Sequence, residues 1–347
     1  MNSRRYERPP RPRREGPSSL PWLLVFIPFA VVFAYLVLPG PWRDGSADDT
    51  GCAGADCATA AVGISAPAPL VQPAAASARP APPQPYANQD PDRWKRSTAV
   101  APPNILGPNA AVVEGSCGLL VYGLKQNDRR PPASIAKIVT AMVVAEQAKM
   151  TDRVQVKING WDLAVKDGSS TAGLEAGMNV TVEDLLYGLM LPSGNDAALT
   201  LADHLGGDQR FVAAMNERVK RLGLENSVFA NPDGRDAPNQ YTSALDMALL
   251  GRELMKDPGL RTIAGTKTIQ AAWAKHTLWN TNYLVYGYQG ATGIKFGFTE
   301  GANETVVGSA VRNGRELYVT VLYSDFAYLD AVKLLDWAFA NTQPNCN

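Results

Sequence analysis

One arrangement constrains this chain more than any other: segments with strand periodicity lie at both ends of residues 105–347, and most of what separates them has the period of a helix. Ala110–Val113 and Leu119–Leu124 flank "EGSCG", while Glu304–Arg312 and Glu316–Tyr323 flank Asn313-Gly314, a pair suited to the type I′ turn of a tight hairpin. Helical spacing covers Pro131 to about Lys149, Thr181–Leu191, Asp196–Leu205, Asp208–Leu222 and Ser243–Lys256, and a last helix runs from about Tyr328 to Ala340. Ser243 with Asp246 forms a helix-start signal, and Gly206-Gly207 and Gly223 punctuate helix ends. Hairpins so far apart must meet in one sheet to bury their apolar faces. The expected class is therefore α+β, an antiparallel sheet of about five strands flanked by helices, with an all-helical lobe formed by the insertion.

The first 104 residues have a different texture. Six arginines, Arg4, Arg5, Arg8, Arg11, Arg13 and Arg14, precede an uncharged apolar run from Leu20 to Leu38. As a helix that run would reach about 28 Å, close to the ~30 Å hydrocarbon core. Residues 1–19 thus read as a basic cytoplasmic tail and 20–39 as a transmembrane anchor, with the rest of the chain outside the cytoplasm. A cleaved signal peptide is the alternative, because Gly45-Ser46-Ala47 is a small-x-small site, although the apolar run exceeds the usual length of such a segment. Residues 40–104, rich in Ala and Pro ("APAPLVQPAAASARPAPPQPY"), lack the apolar content for a core and read as a disordered stalk. The folded unit is expected at 105–347.

Lys plus Arg balances Asp plus Glu at 33 each, which gives no reason to expect a nucleic-acid partner. Outside the cytoplasm, Cys52, Cys57, Cys117 and Cys346 are candidates for disulfides. Cys52 with Cys57 would close a small loop and Cys117 with Cys346 would tie the two ends of the domain, but spacing alone does not decide the pairing. Neither these cysteines nor His204 and His276 have metal-ligand spacing, so no metal site and no cofactor is expected.

Chemistry concentrates in "RRPPASIAKIVTAM", where Ser134 and Lys137 are three residues apart at the start of an apolar helix. Residues i and i+3 share a helix face, so a buried lysine there would have a lowered pKa and serve as the base that a serine hydroxyl needs to become a nucleophile. S-x-x-K alone is a common accident, and an isolated Ser134 would read as an ordinary helix-start residue. Two further elements change that weighing: Ser193 and Asn195 in "LMLPSGNDAA", and Lys295 on a strand in "ATGIKFGFT".

With these elements in this order, residues 105–347 resemble the penicillin-binding serine D-alanyl-D-alanine carboxypeptidases, whose S-x-x-K, S-x-N and K-T-G elements are similarly spaced. "TVEDLLYGLMLPSGNDAALTLA" and "NPDGRDAPNQYTSALDMA" extend the likeness. The resemblance implies a β-lactamase/transpeptidase-like fold, a peptidoglycan stem peptide as substrate, β-lactams as covalent inhibitors, and no cofactor. It implies Ser134 as nucleophile, Lys137 as its base, Ser193 as proton relay, Asn195 as a donor to the substrate amide, Lys295 as a source of positive charge, and the amides of Ser134 and Phe298 as the oxyanion hole. A membrane anchor in such proteins is often C-terminal, and here the N-terminal span would replace it.

The sequence departs from the pattern at Phe296, which stands where the family has Thr or Ser in K-T-G. The missing hydroxyl would leave the peptide carboxylate short of one hydrogen bond, about 1–3 kcal/mol or roughly 10–100-fold in binding. Gly297, Phe298, Thr299 and Thr281 complete the expected substrate-binding set, either threonine being a candidate to replace that hydroxyl. Strand alternation would place residues 295 and 296 on opposite faces. An inactive or weakly active protein that binds wall peptide, or a D,D-endopeptidase, is the alternative function. Trp273, Trp279, Tyr283, Tyr286 and Tyr288 would either line a groove or serve as packing.

Overall fold

The computed structural model describes residues 100–343 and Cys346. The expected basic tail, the membrane span, nearly all of the stalk, and Cys52 and Cys57 lie outside the described residues.

Both terminal hairpins join one five-stranded antiparallel sheet. Its strands are β1 (Asn109–Glu114), β2 (Leu120–Leu124), β7 (Ala291–Thr299), β8 (Asn303–Arg312) and β9 (Arg315–Ser324), in the spatial order β2-β1-β9-β8-β7. Asn313 and Gly314 both have positive φ, 52° and 76°, as a type I′ turn requires. Alternation along β1 explains why so continuous an apolar run is a strand and not a helix. Ala111 and Val113 enter the larger core on one face, while Ala110 and Val112 enter a smaller core on the other. Both faces are covered, so neither needs polar residues.

The smaller core is closed by α9 (Ala327–Asn341) and α8 (Leu284–Gly287). The larger one is built around α1 (Lys137–Gln147), whose residues 137–144 are all buried, as expected of a helix apolar on every side. Around it lie α3 (Val182–Met190), α4 (Asn195–His204), α5 (Asp208–Arg221) and α6 (Ala244–Leu254). Thr181 caps α3 in a reciprocal capping box with Asp184. Ser243 caps α6 through the Asp246 amide, but the Asp246 carboxylate instead accepts from Asn226 N and Ser227 Oγ.

One expectation needs correction. The lobe is not all helical, because β3 (Arg153–Gln155) pairs with β4 (Asn179–Thr181), and β5 (Thr268–Ile269) pairs with β6 (Leu278–Trp279). Strands of two or three residues are too short to show a period. Helices α2 (Gly160–Asp167) and α7 (Pro258–Gly265) were also not read from spacing, although Asp257 as cap and Pro258 in the first turn mark the start of α7.

Cys117, in the β1–β2 turn, is disulfide-bonded to Cys346, 229 residues away. Among the described residues no helix is long and apolar enough to cross a membrane.

Candidate active site

Ser134 lies in a 3-10 turn, Ala133–Ala136, that runs directly into α1. Side chains three apart eclipse one another in such a turn, and Lys137 Nζ is 2.9 Å from Ser134 Oγ. The turn is held from outside. Ala133 has a φ of 51°, in the left-handed region a non-glycine residue rarely takes, and a Cβ added to Gly234 would lie 2.0 Å from its carbonyl oxygen. On the opposite side β7 passes at Gly297, where a Cβ would come 2.8 Å from Ser134 N.

Lys137 is fully buried and donates to three acceptors, Ser134 Oγ at 2.9 Å, Asn195 Oδ1 at 2.7 Å and the Asp233 carbonyl at 2.6 Å. An ammonium has three donors, so all are satisfied. Burial lowers its pKa to about 8, against the opposing pull of Asp233 and Asp196, and Arg235 adds to the lowering.

Ser193 belongs to the turn between α3 and α4 and has a φ of 65°. Its hydroxyl is buried without a hydrogen-bond partner among the described residues. Asn195 opens α4, and its Nδ2 donates to Ser169 Oγ at 2.9 Å. Lys295, on β7, is fully buried and donates to the Phe296 carbonyl at 3.0 Å. Burial first, and then the charge of Lys137, hold its pKa well below the usual lysine value. The fold therefore brings Ser134 and Asn195 each into contact with Lys137, sets Lys295 within electrostatic reach of Lys137, and leaves a hydroxyl on Ser193, two residues before Asn195 in the chain, without a partner among the described residues. Among the described residues no group of His, Cys, Asp and Glu is placed to hold a metal ion.

The model of the D-alanyl-D-alanine carboxypeptidase family matches residues 96–325. The chain belongs to this family. Carboxypeptidase DacF of Bacillus subtilis is 32% identical over 275 residues, covering 74% of this chain and 67% of that protein. DacC of Escherichia coli is 36% identical over 230 residues, 61% of this chain but only 56% of that protein, so the chain spans less than two thirds of this relative's length. The crystal structure of a Streptomyces DD-transpeptidase superposes with a TM-score of 0.67 at 33% identity, covering 70% of this chain and 100% of that one.

Against the family's K-T-G element, Phe296 follows the strand's alternation. Gly297 faces Ser134, whereas the Phe296 ring packs with the smaller core on the α9 side. The ring therefore does not occupy the space beside Ser134. Thr299 donates to Asp236 Oδ1 at 2.8 Å and accepts from Ala302 N, so its hydroxyl is committed to the turn after β7. Thr281 Oγ1 is buried and unpartnered among the described residues, and its amide donates to the Leu191 carbonyl, which ties it to the Ser193 turn. The aromatic cluster divides: Trp279 and Tyr283 are exposed, whereas Tyr288 is buried and Trp273 packs against the larger core.

Spacing did not reveal three contributors. Asp196 is fully buried and accepts from the amides of Ala172, Gly173 and Leu174 at 2.8–3.0 Å, which holds the loop carrying Ser169. Asp233 contributes a backbone carbonyl, and no side-chain pattern announces that. Ser169 meets Asn195 across 26 residues, a contact with no local signal.

Proposed function

We propose that this chain is a serine-type D-alanyl-D-alanine carboxypeptidase that trims peptidoglycan stem peptides through a Ser134 acyl-enzyme. The observation that carries the reading is the three-acceptor cage of Lys137. In the neutral amine, two N–H groups stay on Asn195 Oδ1 and the Asp233 carbonyl, and the lone pair is left facing Ser134 Oγ.

Lys137 takes the Ser134 proton as Oγ attacks the carbonyl carbon of the penultimate residue. The resulting oxyanion is held by the amides of Ser134 and Phe298. Collapse breaks the peptide bond, the departing D-alanine nitrogen gains a proton through Ser193, and water then hydrolyses the ester. Lys295 receives the terminal carboxylate, whose negative charge favours the ammonium form that burial otherwise disfavours. With no hydroxyl at Phe296, the unpartnered hydroxyl of Thr281 is the remaining candidate to assist it.

The test is mass spectrometry of the protein after exposure to a β-lactam, together with D-alanine release from a D-Ala-D-Ala pentapeptide. A penicilloyl mass on the peptide containing Ser134 and a tetrapeptide product are expected. Absence of both would leave an inactive protein that binds wall peptide. The same acyl-enzyme passed to an amine would yield an amide in place of the free tetrapeptide, and a D,D-endopeptidase would cleave cross-linked dimers.

Acylation depends on neutral Lys137, so its rate should climb with pH through a midpoint near 8. Below about pH 7 it should fall roughly tenfold per unit as the ammonium accumulates. A flat profile between pH 6 and 9 would exclude lysine as the base. Gly297→Ala should slow acylation by about 10²–10³-fold, because its methyl would displace the Ser134 amide from the oxyanion site.

We further propose a location outside the cytoplasm, held by the apolar run Leu20–Leu38. The disulfide between Cys117 and Cys346 supports an oxidising compartment. Fractionation of the full chain with membranes, and release by deleting residues 1–39, would test the anchor.

A further inference from the structure

Five residues close a hydrogen-bonded ring with the lysine. Lys137 donates to Asn195 Oδ1, and Asn195 Nδ2 donates to Ser169 Oγ at 2.9 Å. Ser169 Oγ donates to Asp167 Oδ1, and the other oxygen of Asp167 accepts from Arg235 at 3.1 Å. Arg235 Nε then donates to Asp233 Oδ2 at 2.7 Å, and the Asp233 carbonyl accepts from Lys137 at 2.6 Å. The two arms come from distant segments, the loop after α2 and the loop between α5 and α6. Arg235 joins them.

We propose that Arg235 is a positioning residue for the catalytic lysine. By gripping Asp233 and Asp167 together it holds in register the two acceptors that turn the lone pair of Lys137 toward Ser134. The inference deepens the acylation reading above and rests on it.

Two features make this more than surface decoration. The Asp233 side chain is fully buried, and without the guanidinium it would be an unpaired carboxylate beside Lys137. The Arg235 side chain is 44% exposed, so replacing it opens no core. The turn itself is secured independently, because Gly234 N donates to Asn231 Oδ1 at 2.7 Å and Asn231 Nδ2 donates to the Arg235 carbonyl at 2.9 Å. A change at Arg235 should therefore alter charge and aim without unfolding the loop.

The charges acting on Lys137 come from several elements: Asp196 from α4, Asp233 and Arg235 from the α5–α6 loop, and Lys295 from β7. Asp233 and Asp196 favour its ammonium form, whereas Arg235 disfavours it, and the charge of Lys137 in turn lowers the pKa of Lys295. Removing Arg235 deletes one opposing charge and exposes the lysine to Asp233. The amine should then stay protonated to higher pH.

The experiment measures acylation by a fluorescent penicillin as a function of pH for wild type, R235Q, R235K, D167N and R235Q/D167N. R235Q should be about tenfold slower at pH 7, with the midpoint of its acid limb moved up by about one pH unit. R235K should keep the midpoint near that of wild type, since the charge remains, while losing part of the plateau because one ammonium bridges two carboxylates poorly. D167N should lower the plateau without raising the midpoint, and the double variant should be about as slow as R235Q alone, the mark of a shared chain of contacts. An R235Q profile identical to wild type would overturn the proposal. A second readout is independent of catalysis: the titration of Lys137, followed by ¹³C NMR of protein made with ε-¹³C-labelled lysine and assigned with a Lys137→Arg variant, should move upward in R235Q. Failure of the wild type to acylate would sink the enzymatic reading alone, whereas an unmoved Lys137 titration would sink this one.

Discussion

Ser134→Ala should abolish the covalent β-lactam adduct and reduce D-alanine release by about 10⁶-fold, the loss seen when the nucleophile of a cooperative serine-enzyme unit is removed. No neighbouring hydroxyl is placed to take over, since among the described residues the acceptors on Lys137 besides Ser134 are the Asn195 amide oxygen and the Asp233 carbonyl. The substitution deletes one oxygen from a partly buried turn, so the melting temperature should change by no more than a few degrees. The measurement is intact-protein mass spectrometry beside a thermal melt. A penicilloyl adduct on a folded Ser134→Ala protein would mean that the nucleophile lies elsewhere and that the Lys137 contact is incidental.

Asp196→Ala should have the largest effect on stability, about 3–5 kcal/mol. The carboxylate is fully buried and accepts from Ala172, Gly173 and Leu174 of one loop and from Ala197 of its own helix. Deleting it strands these amides where water does not reach, and each unsatisfied donor costs about 1–3 kcal/mol before relaxation. A fall of roughly 10 °C in melting temperature is expected. Asp196→Asn keeps an acceptor oxygen and should lose less. Because the same loop presents Ser169 to Asn195, acylation should weaken in step with stability. A melting temperature within 2 °C of wild type would show that the loop finds other partners, and the structural role assigned to Asp196 would be wrong.

What could be read early is what local rules govern. The apolar runs on either side of residues 114–118, the helical spacing across residues 182–190, the Asn313-Gly314 turn and the Ser243 cap depend on residues within a few positions of one another. The Ser134–Lys137 pair was legible for the same reason, since an i, i+3 contact is local. Its partners at Ser193, Asn195 and Lys295 were placed through family resemblance, and geometry then supplied the direct contact with Asn195 and the electrostatic one with Lys295. Phe296 illustrates the boundary: alternation foretold that it would face away from Lys295, but only packing showed that its ring joins the α9 side.

By itself, the sequence determined the longer elements, the class of the fold and the spacing that puts Ser134 and Lys137 on one face, because each follows from short-range periodicity or from residues one turn apart. Tertiary structure alone decided the strand order β2-β1-β9-β8-β7, the left-handed strain at Ala133 under Gly234, the burial that softens Lys137, and the ring through Asp167, Ser169, Asp233 and Arg235. Those features arise where segments tens to hundreds of residues apart exclude water together. A lysine's basicity and a carbonyl's aim are properties of that shared, dry space and of no single stretch of chain.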